Sequence, residues 1–391
     1  MSNTNQATFA YLAETTFGVT PAGTGTYLRV TSDSVEAKQA LAKSNEIVAT
    51  RETSSLQRVG LNTEGSLGVE LPYGAHDDLL QWALFSAAWT GNVTVGPATT
   101  ISAANADNSL NDSGSGFGSL VVGQWAKATG FTGNNAVNNG KPFKIVTKTT
   151  SKITVSGITI IDDAAGESVT IKQGAYIVNG TTAKSFTLQK QFTDLTNEFM
   201  IALGQMIRGA SLSIGVGNLI TGSFELVGKS MDSGTATVMG TPSAAPTTDP
   251  ANGVDNIVAV YIGGYAVANV VSVRNIALTI ANNLRMREVC GTLGPESIGA
   301  GDFDLTGTLQ AYYSAASTFH TVFRANTYSS IAISVKDVDG NCYVIEIPSI
   351  KWEKVAILAS GKNGDVMNDC SFTTRKDPTA GFTIRIYRIP A

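Results

Sequence analysis

Apolar and polar residues alternate along most of the chain, and this pattern predicts short β-strands. In residues 63–73 (TEGSLGVELPY) the large apolar residues are spaced by two, so they fall on one face of a strand. Residues 77–84 (DDLLQWAL) change to a helical spacing, which predicts a short helix. A similar strand and helix recur at 301–323 (GDFDLTGTLQAYYSAASTFHTVF), which suggests an internal duplication.

Between these two copies, residues 91–183 form a run of short alternating segments with dense turn signals. Asn-Gly, a strong hairpin signal, occurs at 139–140 and again at 179–180. The run begins and ends in polar, glycine-rich sequence, as an inserted domain does. We therefore expect an inserted small β-barrel or immunoglobulin-like domain.

Two segments lack a strong strand pattern. Residues 1–26 are small, polar and rich in Gly and Thr, which predicts an extended arm rather than a packed element. Residues 231–256 hold three of the eleven prolines and almost no large apolar residue, so they are expected to be a linker. The predicted organisation is an arm (1–26), a discontinuous first unit (27–90 and 184–230), an insert (91–183), a linker (231–256) and a second unit (257–391).

The fold class expected from this pattern is mainly β, with two tandem β-barrel or sandwich units, each with a short flanking helix. Tyr73 and Tyr313 are 240 residues apart, and residues 199–206 (FMIALGQM) resemble 343–350 (YVIEIPSI). Phe224 and Phe372 are matched in the same order along the chain. Open sheet edges recruit other chains unless they are blocked, so such units either close into barrels or assemble. Head-to-tail contacts between them would generate rings or filaments.

Composition narrows the functional class. The 391 residues are 15% charged, below the roughly 25% of ordinary domains, and the net charge is −4 without a long run of either sign. A nucleic-acid grip would need a basic patch, and the sequence has none. Three cysteines, an odd number, fit a reduced cytoplasmic protein better than a disulfide scaffold. The chain has no apolar run of about 18 residues and no secretory-signal pattern at its start, so neither a membrane span nor export is expected.

Candidate chemical groups are few. His76, Asp77 and Asp78 could ligate a metal, but a polar turn with an aspartate capping the helix explains them better. Ala316 and Ser317, near the second helix, also suit a cap and cannot bind metal. The other histidine, His320, lies beside Phe319 in that helix, and two histidines give a catalytic triad little to build from. Their expected roles are structural.

The remaining candidates also favour structural readings. Residues 113–118 (SGSGFG) lack the following helix and lysine of a phosphate loop. The cysteines lack CxxC spacing, and the paired acids and scattered tryptophans fit interface and core positions better than hydrolysis or sugar stacking. These residues are Cys290, Cys342, Cys370, Glu64, Glu70, Asp302, Asp304, Trp82, Trp89, Trp125 and Trp352. We therefore expect no enzymatic activity, no catalytic residue, no cofactor and no metal.

Several stretches together resemble the tail tube proteins (major tail proteins) of long-tailed bacteriophages. They are YLAETTFGVTPAGTGTYLRVTSDSV (11–35), NEIVATR (45–51) with GSLGVELPYGAHDDLLQWALF (65–85), SFTLQKQFTD (185–194) with LITGSFELVGK (219–229), NNLRMREVCGTLGPESIGAGDFDLTGTLQAYY (282–313) and GFTIRIYRI (381–389). The resemblance covers almost the whole chain.

The resemblance implies rings that stack into a hollow tube, which carries DNA from the head to the host. Many relatives have one unit per chain and form hexamers, so two units per chain imply a trimeric ring with pseudo-sixfold symmetry, with a hexamer as the alternative. Implied partners are the tape measure, terminator and distal tail proteins, and DNA that passes without specific binding. The implied location is the virion, after assembly in the host cytoplasm.

Two other functions stay open on the sequence. One is another virion β protein, such as a neck, terminator or capsid-decoration subunit. The other is a carbohydrate-binding or hydrolytic β protein. The mid-chain insert departs from the family pattern, because relatives more often carry extra domains at the end. We expect it on the outside of the tube, in space that a contractile sheath would otherwise need.

Overall fold

A computed structural model describes residues 2–313, 318–359 and 361–391, and it is mainly β, with about half of the residues in strands. The first elements are β1 (Ala7–Ala13), β2 (Thr26–Leu28), β3 (Ser32–Asp33), β4 (Glu36–Lys43), β5 (Leu56–Glu70) and α1 (Asp77–Ala83). Seven strands follow: β6 (Val93–Ala98), β7 (Ile101–Ala104), β8 (Ser109–Asp112), β9 (Trp125–Thr129), β10 (Pro142–Lys148), β11 (Lys152–Ser156) and β12 (Val169–Gln173).

The chain continues with β13 (Ala175–Val178), β14 (Phe186–Phe192), β15 (Phe199–Gly215), β16 (Thr221–Gly228), β17 (Ser230–Gly234), β18 (Ile257–Ile262), β19 (Val273–Ala281), β20 (Arg285–Arg287) and β21 (Ser297–Gly299). The last elements are β22 (Asp304–Tyr312), α2 (Thr318–Arg324), β23 (Ser329–Lys336), β24 (Cys342–Ala359), β25 (Val366–Thr374) and β26 (Arg385–Ile389).

Seventeen strands form one large hydrogen-bonded sheet, in which all named pairings are antiparallel. The pairings branch at β5, β15 and β24, and within the described residues they never return to their starting strand. The closed barrel expected as one possibility from the sequence is therefore absent. The sheet stays open because, among the described residues, some strand edges have no partner within the chain.

The two longest strands, β15 and β24, each change partners halfway along. The first half of β15 pairs with β14 and β17, and the second half pairs with β16 and β19. The first half of β24 pairs with β23 and β26, but its second half pairs with β25 alone. Both strands contain a β-bulge near the change, after Ile207 and after Trp352. A bulge bends the strand and increases its twist, which lets one strand serve two parts of the sheet.

A second sheet contains the seven strands β6 to β12 and has its own core. Its order is β6-β12-β9-β10-β11-β8-β7. The sides facing inward carry apolar residues at alternate positions, such as Phe143, Ile145, Ile153 and Ile171, all fully buried. This sheet ends at Gln173, and the following strand, β13, already pairs with β26 of the large sheet.

The N-terminal segment is packed, contrary to the expectation of an extended arm over residues 1–26. Strand β1 pairs with β14 along seven residues and also with β2. Tyr11 is buried, donates to Asp78 over 2.9 Å and packs edge-on against Trp82. The prediction is wrong for residues 7–13 (ATFAYLA), where small alanines take strand positions and one of them, Ala10, is buried, so the segment looks less apolar than its packing.

Candidate assembly surfaces

The large sheet has two halves, the first built around β15 and the second around β24. Helix α1 begins at His76, Asp77 and Asp78, where the two halves are in contact. The two aspartates occupy the first turn of α1, as expected, but neither side chain caps the helix. Asp78 accepts from Tyr11, and Asp77 pairs with Arg388 of β26. No cluster of three or more potential metal ligands occurs in the part of the chain that the structure describes. Ala316 and Ser317 lie outside the described residues.

Asp77 is the centre of a buried network that links the halves. The Tyr343 hydroxyl donates to the Asp77 carboxylate and accepts from the Gly74 backbone N–H, 2.8 Å away. Arg388, which binds Asp77, also stacks on the Trp89 ring at 4.6 Å. Burial and the neighbouring Asp77 charge hold the pKa of Tyr343 well above its usual value, so the tyrosine stays a neutral donor. This network fixes α1 against β24 and β26.

His76 lies next to this network and lines a small apolar cavity of about 60 Å³ between the halves. Its ring is buried near Phe224, with 6.2 Å between ring centroids. Burial, with a contribution from the Arg29 charge, lowers the pKa of His76 to about 4. The imidazole is therefore neutral near pH 7 and serves as a packing group.

The other candidate residues are dispersed. His320 is half-buried in α2, Cys290 is exposed, and Cys342 and Cys370 are buried thiols. The SGSGFG stretch forms a turn held by the Asp112 carboxylate, which accepts from the Gly114 and Gly116 N–H groups.

The carboxylates and tryptophans are equally scattered. Glu64 pairs with Lys38 on the surface at 3.0 Å, and that contact lowers the pKa of Glu64. Asp302 and Asp304 lie near Asn283, whose side chain donates to the Asp302 carbonyl and the Asp304 carboxylate. Glu70 lines the cavity beside His76. Trp82 and Trp352 are core residues. The structure does not bring these candidates together into one site.

The seven-stranded sheet is attached to the second half through Glu346, a residue that sequence reasoning missed. Glu346 is buried and pairs with Lys144 of β10. It also accepts from the Trp125 indole N–H at 3.2 Å and from the Tyr387 hydroxyl at 3.2 Å. A signal was present, because Glu346 is the one acidic residue in the apolar strand YVIEIPSI, and a buried charge requires partners.

The two halves are also joined by backbone pairing, which we call the closed joint. It consists of residues 209–215 of β15 paired with 275–281 of β19. Leu212 lies opposite Leu278, and Ala210 lies opposite Ile280. Leu278 is only 5% exposed, so the joint combines hydrogen bonding with apolar burial.

Several described strands pair on one side only, and we call two of these segments the open edges because they are compared with the closed joint below. The first is residues 354–359 of β24, which pair only with β25 and expose Ile357 (43%) and Leu358 (47%). The second is residues 33–38, which run from the end of β3 to the start of β4. Both strands pair only with β5. Unpaired backbone groups at a strand edge are a template for another chain.

A wide groove of about 1020 Å³ runs along the second open edge. Its walls include residues 2–9 and 27–37, together with the half-buried Phe192 and Met200. The groove has both polar and apolar walls, and the Asp33–Lys190 ion pair (2.5 Å) lies at its side.

Residues 36–70 and 285–299 each form a hairpin. Strands β4 and β5 pair from Glu36 to Lys43, and residues 44–55 form the tip. The tip carries Ile47, which is 99% exposed, and Val59 on β5 is also exposed. In the second half, β20 and β21 form a shorter two-stranded hairpin. No described helix is both long and apolar enough to span a bilayer.

The family model described as "Phage tail tube protein" matches residues 4–374, which is nearly the whole chain. No curated protein matches the sequence.

Proposed function

Because the chain belongs to the phage tail tube protein family, we propose that it is the structural subunit of a bacteriophage tail tube, whose stacked rings form the channel for genome ejection. The observation that carries the proposal, beyond the family match, is the pair of open edges on a chain that already contains one closed joint. Such a chain has complementary unsatisfied sides, as a ring-forming subunit requires.

Two tandem tail-tube units per chain are supported by repeated pairing patterns. The hairpin β14–β15 steps from the pair Phe186/Gln205 to Leu188/Ala202, and β23–β24 steps from Ser329/Ile350 to Ile331/Ile347. Each hairpin therefore skips one residue on the first strand and two on the second. In both units, β1 or β18 pairs with the outer side of the hairpin's first strand.

This equivalence moves the sequence-based matches by one or two residues. The offset between β15 and β24 is 145 rather than 144, because Gln205 corresponds to Ile350. Leu226, which lies opposite Ile207, then corresponds to Phe372, which lies opposite Trp352. Phe224 is therefore not the partner of Phe372 in the duplication that we propose.

With two units per chain, we propose a ring of three chains with pseudo-sixfold symmetry. Residues 91–183 would be an inserted domain on the outside of the tube, since Glu346 and Lys144 fix its sheet to the second unit. The hairpins at 36–70 and 285–299 would contact the next ring, because the first presents the exposed Ile47 at its tip. Tape measure, terminator and distal tail proteins would bind the ends.

The net charge suits a channel through which DNA slides. DNA carries one charge per ~1.7 Å of its axis, and a basic wall would hold it through counterion release. A subunit with a net charge of −4, repeated in every ring, is compatible with a channel wall that does not retain DNA.

Negative-stain electron microscopy of the purified full-length chain tests the proposal. Rings or stacked tubes with a central channel are expected. Closed rings that never stack would instead indicate a neck or terminator subunit, and a compact monomer at high concentration would contradict the proposal.

A further inference from the structure

We propose that the closed joint is repeated between chains: residues 354–359 of β24 pair, antiparallel, with residues 33–38 of a second copy, and Ile357 lies opposite Val35. The inference rests on the proposed ring and specifies its subunit contact. It follows from comparing each open edge with the equivalent side of the closed joint.

The first step equates the second half of β24 with the second half of β15. The bulge in β15 passes from the pair Ile207/Leu226 to Gly209/Glu225. The bulge in β24 passes from Trp352/Phe372 to Lys354/Ser371. Both positions differ by 145 residues, the offset that the hairpin bulges give independently. Leu212 of the closed joint therefore corresponds to Ile357.

The second step equates residues 33–38 with β19 through two glycines. Leu226 lies opposite Gly65, and Phe372 lies opposite Gly307. A Cβ on Gly65 would collide with the Ser34 carbonyl oxygen, and a Cβ on Gly307 would collide with the Ala277 carbonyl oxygen. Ser34 thus corresponds to Ala277, with an offset of 243.

With that offset, the next residue, Leu278, corresponds to Val35. Both are buried, at 5% and 4% exposure. Because Leu278 lies opposite Leu212 in the closed joint, Val35 is expected opposite Ile357 in the contact between chains.

The backbone of Val35 is capped by side chains within the single chain. Its N–H donates to the Asp33 carboxylate at 3.0 Å, and its carbonyl accepts from Lys190 Nζ at 2.6 Å. Backbone pairing with Ile357 would replace both caps, and Asp33 and Lys190 would remain paired with each other. Side-chain caps of this kind limit unspecific pairing of a free edge.

The groove supplies a second argument for a copy of this chain as the occupant. In the second unit, Val335 and Ile345 are buried, and Leu71 of the first unit lines cavities with each of them. Their equivalents, Phe192 and Met200, are half-buried and line the open groove.

The residue that would fill the groove can be named. Leu71 corresponds to Tyr313, because Gly65 and Gly307 set an offset of 242 between β5 and β22. Tyr313 is 43% exposed. A second copy that pairs at the open edge would bring its Tyr313 toward this groove.

Disulfide cross-linking tests the register. In the closed joint, Asn282 N–H donates to the Arg208 carbonyl and Val216 N–H to the Arg274 carbonyl. By alternation, Ser211/Thr279 is a non-hydrogen-bonded pair, whose Cα atoms lie about 4.5 Å apart, within disulfide range. The equivalent pair between chains is Ala356/Glu36. We would combine Ala356→Cys and Glu36→Cys in a Cys290→Ser background, which removes the exposed native thiol.

After mild oxidation of assembled protein, we expect most chains to run as covalent oligomers on a non-reducing gel. The matched control is Ala356→Cys with Ala40→Cys, four residues along β4 and about 13 Å out of register, which should cross-link at least tenfold less. A second pair, Leu358→Cys with Ser34→Cys, serves if the first variant does not assemble.

Each result decides between the alternatives. Rings that form but cross-link no better than the control would overturn the register and leave the proposed function intact. If the unmodified chain forms no rings at all, the proposed function fails and this inference fails with it.

Discussion

In the duplication that we propose, the closed joint and the open edges are equivalent parts of the two units, but only the closed joint has its partner within the chain. At the joint, Leu278 is buried by β15. At the open edge, Ile357 has the same place on its strand and remains 43% exposed. If the proposed equivalence holds, the chain completes this contact internally at the joint and needs a second copy to complete it at the open edges. Mutations at the closed joint should therefore lower the stability of the monomer, whereas mutations at the open edge should prevent assembly.

The largest expected difference comes from placing aspartate at each site. Leu278→Asp buries a charge without a partner in a packed core, so we expect the free energy of unfolding to fall by about 4 kcal/mol. Ile357→Asp should change it by less than about 0.5 kcal/mol, because the side chain is partly solvated. Denaturant titration of the monomer measures both values.

Assembly should respond in the opposite way. We expect Ile357→Asp to abolish rings in sedimentation velocity while the monomer stays folded. A neutral control, Ile357→Val, should assemble normally. Normal rings from the aspartate variant would mean that this edge is not a subunit contact.

The next effect concerns the buried network around Asp77, which links the two halves of the large sheet. Asp77→Ala leaves the Arg388 guanidinium and the Tyr343 hydroxyl without their acceptor, and should cost about 3 kcal/mol. A double-mutant cycle with Arg388→Met separates the ion pair from the rest. Additive losses in the cycle would show that the pair does not link the halves energetically.

Acidification should lower the free energy of unfolding through His76, which lines the cavity between the two halves. Its pKa falls from 6.5 to about 4 on folding, so between these values the unfolded chain binds a proton that the folded chain does not. Stability therefore decreases as the pH falls from about 6.5 to 4, by about 3 kcal/mol. Thermal melts of the wild type and His76→Leu across this range test the effect, and equal slopes would exclude His76 as its source.

The smallest effect is expected at the open edge in the monomer. Lys38 and Glu64 form a solvent-exposed pair, so Lys38→Ala should change the free energy of unfolding by less than about 0.5 kcal/mol. The same change should leave the closed joint unaffected in hydrogen exchange of residues 275–281. Strong deprotection there would contradict the separation of edge and joint.

The sequence predicted the mainly β class and the strand followed by a short helix within residues 63–84, because alternation and helical spacing are local signals. It did not predict their alignment, since bulges at residues such as Arg208 and Glu353 shift the register without a clear sequence signal. Matching Phe224 with Phe372 was reasonable on identity, but the strand pairing favours Leu226.

The sequence-based interpretation of His76, Asp77 and Asp78 shows a second limit of what the sequence predicts. A helix cap is a local explanation for Asp77, whereas its actual partners, Tyr343 and Arg388, lie 266 and 311 residues away in sequence. The N-terminal strand was missed for the same reason, because β1 is stabilised by β14, which follows after the whole inserted block. Contacts of such separation leave no periodic pattern.

The mass of an isolated ring tests the central claim most directly, because the two equivalent units per chain and the repeated joint that we propose would together set the number of chains. Native mass spectrometry of rings released from tubes should give three chains of 40.8 kDa each. A ring of six chains would contradict the proposed equivalence of the two units.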